Sequence, residues 1–563
     1  MKSSNTKNRK VKYWLHKIFI GDTPAKKIFL FYLYAIILGI ILLSLPISLK
    51  NSSSYEKVVY DDYGQLIKEK YTFIDILFTT VSAFTDTGLT SSITFYTYSW
   101  FGQIVILSLI QIGGFGLFTI YWCIWNIIFN NKFYKRRHNI DQNKTLNMGF
   151  SQSLLIFSER GNTKLGLTTK TIRRAIIFIF SVELIFWIFY SVYFAVTPAY
   201  ESIQVSQLVE NGSNEMFNSL FVDDTSKMVS CYQSPLSIWV GLFHSVSSIN
   251  NAGFDIIGGS SLVPYRNGVG TVLQFATMIQ IIIGGLGYPV IYDILTKIKC
   301  SFKKIPHRLS IFSKLTLISY FVIFAFGIIF LFSFELSLKT GVYNTLTNPP
   351  DEYKSVMINY FGKSGVEQNW NLFSNLLFNV TSVRSAGFST ISQSSLSIPG
   401  KWVVIVLMFI GCSHSSTGGG IRGITIAIIF LAFISRIKGS KQVVAFKRSI
   451  SKETIIDAFI VLTIAFSMVT FCSLIFFGFW EQDNITFTDM LFDWISAFST
   501  TGVSTGVTSK ILSNPMVAGV FFVIVMSLVM IIGQLGISTT MLSFRKEITK
   551  SNAIKYPMEE LKI

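Results

Sequence analysis

Four segments of this 563-residue chain align without gaps: Val81-Ser-Ala-Phe-Thr-Asp-Thr-Gly88-Leu89, Val246-Ser-Ser-Ile-Asn-Asn-Ala-Gly253-Phe254, Val380-Thr-Ser-Val-Arg-Ser-Ala-Gly387-Phe388 and Ile495-Ser-Ala-Phe-Ser-Thr-Thr-Gly502-Val503. What recurs is a pattern of small, hydroxyl-bearing and bulky apolar residues ending at Gly; no acid, base or nucleophile is common to all four apart from hydroxyls. The chemistry on offer is therefore that of the backbone. Four extended stretches converging on one axis present a ring of carbonyl oxygens, which can replace the hydration shell of a monovalent cation. Gly suits the crowded point because it takes positive φ without steric cost. One such Gly alone reads as a helix-packing residue of the small-xxx-small kind. Four copies with the same companions do not.

The flanking sequence indicates how these segments are held. A short apolar run precedes each (Ile74 to Thr80, Ile238 to Ser245, Leu372 to Asn379, Met490 to Trp494), too brief to span a bilayer alone and so read as a re-entrant half-helix. A membrane helix with a second small-residue site follows. Gly253 to Gly284, Gly387 to Gly418 and Gly502 to Gly533 are each 31 positions apart, and Gly88 to Gly113 is 25. The unit is span, external loop, half-helix, extended stretch and returning span, and four units make about eight spans. Irregular backbone at that depth must line a water-filled cavity, since its N–H and C=O groups find no partners in lipid.

Composition agrees with a membrane protein: 50% hydrophobic, 15% aromatic and only 14% charged, with mean hydropathy +0.50. Span-length apolar stretches such as Phe29 to Pro46, Ile176 to Val196 and Leu315 to Phe334 exclude an outer-membrane barrel. The net charge of +18 resides in particular loops: Lys2 to Lys27, Lys132 to Arg174, Lys297 to Lys314, Arg436 to Lys452 and Arg545 to Lys562 hold about 35 of the 48 Lys and Arg. The positive-inside rule makes these cytoplasmic, together with both termini, and the basic charge sets orientation; no nucleic-acid partner is implied. The basic N-terminal segment leads into a span-length run without a small-residue cleavage site, so it reads as a membrane helix and not as a removed signal. Five scattered Cys form no zinc or disulfide pattern. Gly362-Lys363-Ser364 lacks the leading Gly of a phosphate-binding loop, and no soluble segment is long enough for a nucleotide domain, so no enzyme is expected.

At these residues the chain resembles the Trk/Ktr/HKT superfamily of potassium transporters, and within it the bacterial KtrB (TrkH-like) membrane subunits, over nearly its whole length. The resemblance is carried by Ser247 to Asp255, by Ile283-Gly-Gly-Leu-Gly-Tyr-Pro-Val290, by Ile112-Gly-Gly-Phe-Gly116, by Arg384 to Phe388 and by Ser416-Thr-Gly-Gly-Gly-Ile-Arg422. It implies an all-α integral membrane protein of four pseudo-symmetric repeats of helix, re-entrant pore loop and helix around one central pore. The repeats are set at 28–130, 174–298, 312–436 and 454–544. Cytoplasmic segments are set at 1–27, 131–173, 299–311, 437–453 and 545–563. The inserts near 199–236 and 340–370 are expected to cap the outer face.

The same resemblance implies an ion-binding filter at Thr85, Asp86, Thr87 and Gly88; Asn250, Asn251, Ala252 and Gly253; Arg384, Ser385, Ala386 and Gly387; and Ser499, Thr500, Thr501 and Gly502. In plant members a Ser at the first filter Gly goes with sodium selectivity, so Gly88 implies potassium, with sodium as the alternative ion. The interruption of an apolar helix by Gly411, Cys412, Ser413, His414, Ser415, Ser416, Thr417, Gly418, Gly419 and Gly420 cannot remain a lipid-facing helix. By resemblance it is an intramembrane gate, and Arg422 and Gln534 belong with it. Cys412 and Ser415 stand where Gly is usual in the family, His414 where Pro is, Arg422 where Lys is, and Gln534 where a pore-facing Arg is.

Asp86 is read as pointing behind the filter and bonded to backbone, with a pore-facing role as the alternative. His414 is read as neutral and hydrogen-bonded, the alternative being a pH sensor. Arg384 is not expected to pair with Asp86, because repeats 1 and 3 should lie opposite each other. The chain carries no cofactor of its own; K+ is the transported ion, with coupling to Na+ open, and ATP or ADP belongs to a partner. The expected partners are a second copy in a homodimer, a cytosolic KtrA- or TrkA-type ring, and the lipid of the cell membrane. A secondary porter for another solute would be expected to show two inverted repeats instead of four parallel ones.

Overall fold

The computed structural model describes residues 24–50, 55–60, 66–129, 168–197, 199–200, 221–223, 229–232, 235–257, 261–266, 270–339, 342–343, 365–413, 416–440, 442–480, 485–513, 517–538 and 540. Fourteen helices carry the four-unit pattern. The first unit has α1 (Pro24–Leu43), the pore helix α2 (Phe73–Phe84) and the inner helix α3 (Trp100–Phe129). The second has α4 (Thr168–Val196), the pore helix α5 (Leu236–Asn250), and α6 (Gly270–Leu286) followed by α7 (Tyr288–Phe302). The third has α8 (Ile311–Leu338), the pore helix α9 (Gly365–Ser382), and α10 (Ile398–Phe409) separated from α11 (Gly423–Ile437). The fourth has α12 (Lys452–Trp480), the pore helix α13 (Phe487–Phe498) and α14 (Val517–Leu535).

Among the described residues four helices are long and apolar enough to cross a membrane, or five if α6 and α7, bent by 102°, form one span. The other outer and inner elements are shorter apolar helices, including Phe29–Leu43, Trp100–Gly114 and the two halves Ile398–Phe409 and Gly423–Ile437. Their apolar side chains face outward: α8 leaves Phe321 70% exposed and α4 leaves Ile185 63% exposed, as lipid-facing surfaces require.

The pore helices run further than their apolar runs suggest. They continue through the Ser/Thr positions, where some hydroxyls bond back to the helix: Thr80 Oγ1 donates to Ile76 O at 2.6 Å, Thr85 Oγ1 to Val81 O at 2.8 Å and Thr381 Oγ1 to Leu377 O at 2.9 Å, while Ser82 and Ser247 Oγ have no partner. Their starts are capped. Thr72 and Asp75 form a reciprocal capping box on α2, and Thr486 accepts from Asp489 N on α13; caps of this kind contribute about 1 kcal/mol each.

The packing order is cyclic. Each pore helix packs on the outer helix of its own repeat and on the inner helix of the repeat before it: α3 on α5, α6 on α9, α10 on α13, and α14 back onto α2. Among the described residues there are three small antiparallel sheets, one of them the two-residue pairing of Val444–Ala445 with Arg448–Ser449. β1 (Glu56–Tyr60) pairs with β2 (Leu66–Lys70) beside the first pore helix, and a three-stranded sheet of β3 (Ala199–Tyr200), β4 (Phe221–Asp223) and β5 (Val229–Tyr232) falls in the first long insert. Apart from these strands and the ends of the two inserts, the segments expected to cap the outer face lie outside the described residues, as do 1–23, 130–167 and 541–563.

Candidate functional site

The four repeated glycines meet. All have positive φ, 88° at Gly88, 69° at Gly253, 76° at Gly387 and 88° at Gly502. A Cβ added at Gly88 would lie 2.6 Å from Ala252 O, and one at Gly253 would lie 2.5 Å from Ala386 O, both inside the 3.0 Å that real Cβ atoms keep. One at Gly387 would strike Thr501 O, and one at Gly502 would strike Thr87 O. Each glycine thus faces the carbonyl just before the next glycine, in the closed order 1, 2, 3, 4 and back to 1. Repeats 1 and 3 stand across the axis from each other.

The backbone reaches this ring by the same turn in three repeats. Thr87, Ala252 and Thr501 donate their N–H to Ser82, Ser247 and Ser496 O, each at 2.9 Å, and the residue two places before the glycine is left-handed: Asp86 at φ 51°, Asn251 at 57° and Thr500 at 50°. Asp and Asn tolerate that region. Thr is β-branched and held there against its preference. The third repeat differs, since Ala386 N donates to Ser382 O at 2.8 Å, one residue closer, and Ser385 is not left-handed. The segment is therefore a short turn, where the sequence suggests an extended stretch from the end of the apolar run.

The downstream glycines buttress the pore helices. A Cβ at Gly113, Gly284 or Gly533 would collide with Phe84, Ile249 or Phe498 O, the carbonyls four residues before the ring glycines. In the third repeat the corresponding Gly418 meets the Ser385 side chain instead, 2.5 Å from its Cβ. There the inner helix is broken, and Ile410 to Arg422 crosses beneath the ring. Gly419 N donates to Thr500 Oγ1 at 2.7 Å, Cys412 Sγ lies 2.9 Å from Ser385 Oγ, and Ser413 N and Oγ donate to Gly285 O at 3.1 and 2.9 Å. Arg422 donates to Gly418 O and, at 3.4 Å, to Gln534 O. Ser416 Oγ donates to Ser413 O at 2.7 Å, and Gly420 has φ 76°. His414 and Ser415 lie outside the described residues.

Two side chains differ from their sequence reading. Asp86 is fully buried, yet its carboxylate is not bonded to backbone: Oδ2 accepts from Gln534 Nε2 at 3.4 Å and Oδ1 has no partner. Gln534, expected where a pore-facing Arg would be, is only 8% exposed and spans from Asp86 to Thr417 O, to which Nε2 donates at 3.0 Å. Gly113 leaves room for this placement, since a Cβ there would lie 3.3 Å from Asp86 Oδ2. Arg384 packs over the Tyr320 ring at 3.9 Å and donates to Tyr320 O and Gly411 O, both at 3.3 Å, so it ties α8 and the start of the broken stretch to the third segment. Asn250 turns outward, donating to Val246 O at 2.9 Å and to Gln111 Oε1 at 3.3 Å. Thr85 with Thr87 and Ser499 with Thr501 form hydroxyl pairs of 2.7 and 2.6 Å.

Asp493, on α13, is absent from the sequence-derived residues although an ionisable group inside an apolar half-helix is a signal in itself. Its buried carboxylate accepts from Ser504 Oγ at 2.6 Å, Thr505 N and Thr508 N at 2.9 Å each, Thr508 Oγ1 at 2.7 Å and Thr505 Oγ1 at 3.3 Å. It clamps the chain leaving Gly502.

Above the ring, on the side of the β1–β2 hairpin, a cavity of about 450 Å³ has all four glycines in its lining, with Lys57, Asp255 and Ser504. Lys57 is neutralised by Asp75 Oδ1 at 3.0 Å and Glu69 Oε2 at 3.4 Å, which leaves the mouth acidic and attractive to cations. Among the described residues no group of three or more His, Cys, Asp or Glu could hold a metal ion. The oxygens that lie against the ring glycines belong to the backbone.

Residues 26–556 match the family model TrkH, cation transport protein. The chain is 39% identical to the uncharacterized cation transporter MG322 of Mycoplasma genitalium, over 98% of this chain and 100% of that one. It is 29% identical to Ktr system potassium uptake protein D of Bacillus subtilis, over 97% and 98%, and 28% identical to potassium/sodium uptake protein NtpJ of Enterococcus hirae, over 87% and 89%. The crystal structure of the potassium transporter TrkH from Vibrio parahaemolyticus shares the fold, with TM-score 0.52 at 14% identity, over 84% of this chain and 79% of that one.

Proposed function

The chain belongs to the TrkH family of cation transport proteins, within the Trk/Ktr/HKT superfamily, and from that premise we propose that it conducts potassium across the cell membrane through a filter of backbone carbonyls. It is a multi-pass membrane protein and a cation transporter. The closed ring of four positive-φ glycines, each against its neighbour's carbonyl, is the observation that supports the filter. The filter comprises the four tetrads ending at Gly88, Gly253, Gly387 and Gly502, within the repeats at 28–130, 174–298, 312–436 and 454–544. Gly411 to Gly420, with Arg422 and Gln534, is the gate, a reading supported by the hydrogen bonds that hold this stretch directly under the ring.

The acidic cavity faces outward and both termini face the cytoplasm, in keeping with the basic loops. In this reading the protein works as a homodimer on a cytosolic ring of KtrA- or TrkA-type subunits, where ATP or ADP binds; the Ktr relatives are named as proteins of a system, which supports a further component. Sodium conduction is the second reading, favoured by the Enterococcus relative's name, potassium/sodium uptake protein. The test is uptake of radiolabelled rubidium into liposomes holding the purified chain. Block by external potassium but not by equal sodium supports the potassium reading, and equal block by both ions contradicts it.

A further inference from the structure

The side chains two places before the ring glycines, Asp86, Asn251, Ser385 and Thr500, come one from each repeat and are among the most deeply buried polar groups of the molecule. All four reach the same element. Thr500 Oγ1 accepts from Gly419 N at 2.7 Å. Ser385 Oγ meets Cys412 Sγ at 2.9 Å. With the Asn251 amide oriented so that both its ends are satisfied, its oxygen accepts from Thr417 Oγ1 at 3.2 Å and its nitrogen donates to Ser248 O at 3.1 Å. Asp86 connects through Gln534, whose Nε2 bridges its carboxylate and Thr417 O. Three of the four residues hold left-handed backbone, and Ser385, the fourth, reaches the broken stretch without it.

We propose that these four side chains are the seat of the gate loop, so that cation occupancy of the carbonyl ring and seating of the loop are thermodynamically linked. This rests on the filter and gate reading above and adds their coupling. The physical reason is that the seat and the ring are the same few residues. A cation held by the carbonyls at Thr87, Ala252, Ala386 and Thr501 fixes the turn one residue upstream, and with it the side chain that holds the loop. An empty ring frees both. Linkage is reciprocal, so a seated loop also favours a filled ring. The four seat residues are positioning residues: their side chains hold the loop, and the residue after each gives its carbonyl to the ring.

Cys412 supplies the probe, being buried within the loop. In the full-length chain with Cys123, Cys231, Cys300 and Cys472 replaced by Ser, the rate of Cys412 alkylation by N-ethylmaleimide is measured in liposomes with potassium or with N-methylglucamine on both sides. Potassium should slow labelling by about fivefold or more, the lower end of ordinary coupling. Thr500→Val keeps the β-branched shape and removes the acceptor, so it should label fast in both media, and Thr500→Ser should restore the potassium effect. Gln534→Leu removes the Asp86 bridge and provides a second reading with the same expectation if the first variant does not assemble. Equal labelling of the parent in the two media, or an intact potassium effect in both Thr500→Val and Gln534→Leu, would overturn the coupling. Rubidium flux through a Cys412–Thr417 deletion decides separately whether the loop is a gate at all, since the labelling rate reads its seating whether or not it obstructs ions.

Discussion

The third and fourth repeats begin alike, with a half-helix, a tight turn and a glycine in the ring, and then diverge. In the fourth, Gly533 lets α14 lie against Phe498 O, and the inner helix is continuous. In the third, Gly418 meets a side chain, Ser385, and the inner helix stops at Phe409 and resumes at Gly423. A helix packed on a backbone carbonyl has little room to shift, whereas the loop is held by hydrogen bonds to Ser385, Thr500, Gln534, Arg384 and, through Ser413, Gly285 O, each of which can be exchanged. The same small-residue site thus packs against main chain in one repeat and against a side chain in the other.

The largest effect expected from breaking this contrast comes from deleting Cys412 to Thr417. Removing contacts that hold the closed loop, at about 1 kcal/mol per hydrogen bond, should raise rubidium flux tenfold or more. Stopped-flow uptake into liposomes measures it, and wild-type flux in a folded deletion counts against the gate. Next, Gly533→Ala should destabilise the protein by about 1 to 3 kcal/mol through overpacking against Phe498 O, while Gly418→Ala should cost less because the contact with Ser385 Cβ, fixed 2.5 Å away, is relieved by shifting a loop and not a helix. Thermal unfolding of the two variants in detergent compares them, and equal losses would erase the distinction.

Asp493→Asn tests the rigid side of the comparison. It keeps the shape but turns one acceptor oxygen into a donor facing Ser504, Thr505 and Thr508, and should cost on the order of 2 kcal/mol. Rubidium-over-sodium discrimination should fall as the segment after Gly502 loosens. Denaturant unfolding and paired flux assays read the two effects, and unchanged values in both would make the clamp incidental. The smallest effect belongs to Gln534→Arg. An unpaired charge within about 5 Å of a passing cation would oppose it by on the order of 3 kcal/mol at an effective dielectric near 20. Asp86, however, stands beside residue 534 and would pair with the new cation, so flux should fall only modestly and ion preference should hold. A shift in preference would mean that residue 534 shapes the ring.

The fourfold pattern was legible because it is written in local sequence: four aligned octets, a fixed offset of 31 in three of them, and half-helices bounded by turn residues. The cyclic order followed from chain order. What the sequence could not convey was contact between repeats. Gly113, Gly284 and Gly533 read as generic small residues, since their partner carbonyls lie far away along the chain. The pore helices extend past their apolar runs through Ser and Thr positions, and a hydroxyl that bonds back to the helix, as Thr381 Oγ1 does to Leu377 O, leaves no mark in the apolar pattern. Asp86 was read as backbone-bonded because nothing local reveals Gln534, 448 positions on. Asp and Asn two places before the first two ring glycines were a usable sign of left-handed backbone, and Thr500 was not.

Gly88→Ser bears most directly on the claim that a ring of backbone carbonyls selects the ion. The added Cβ would lie 2.6 Å from Ala252 O, at φ +88°, so one quarter of the ring must shift. Rubidium and sodium fluxes are compared in liposomes at matched protein levels. The account predicts a marked loss of rubidium-over-sodium preference with flux retained; full discrimination in a folded Gly88→Ser protein would contradict it.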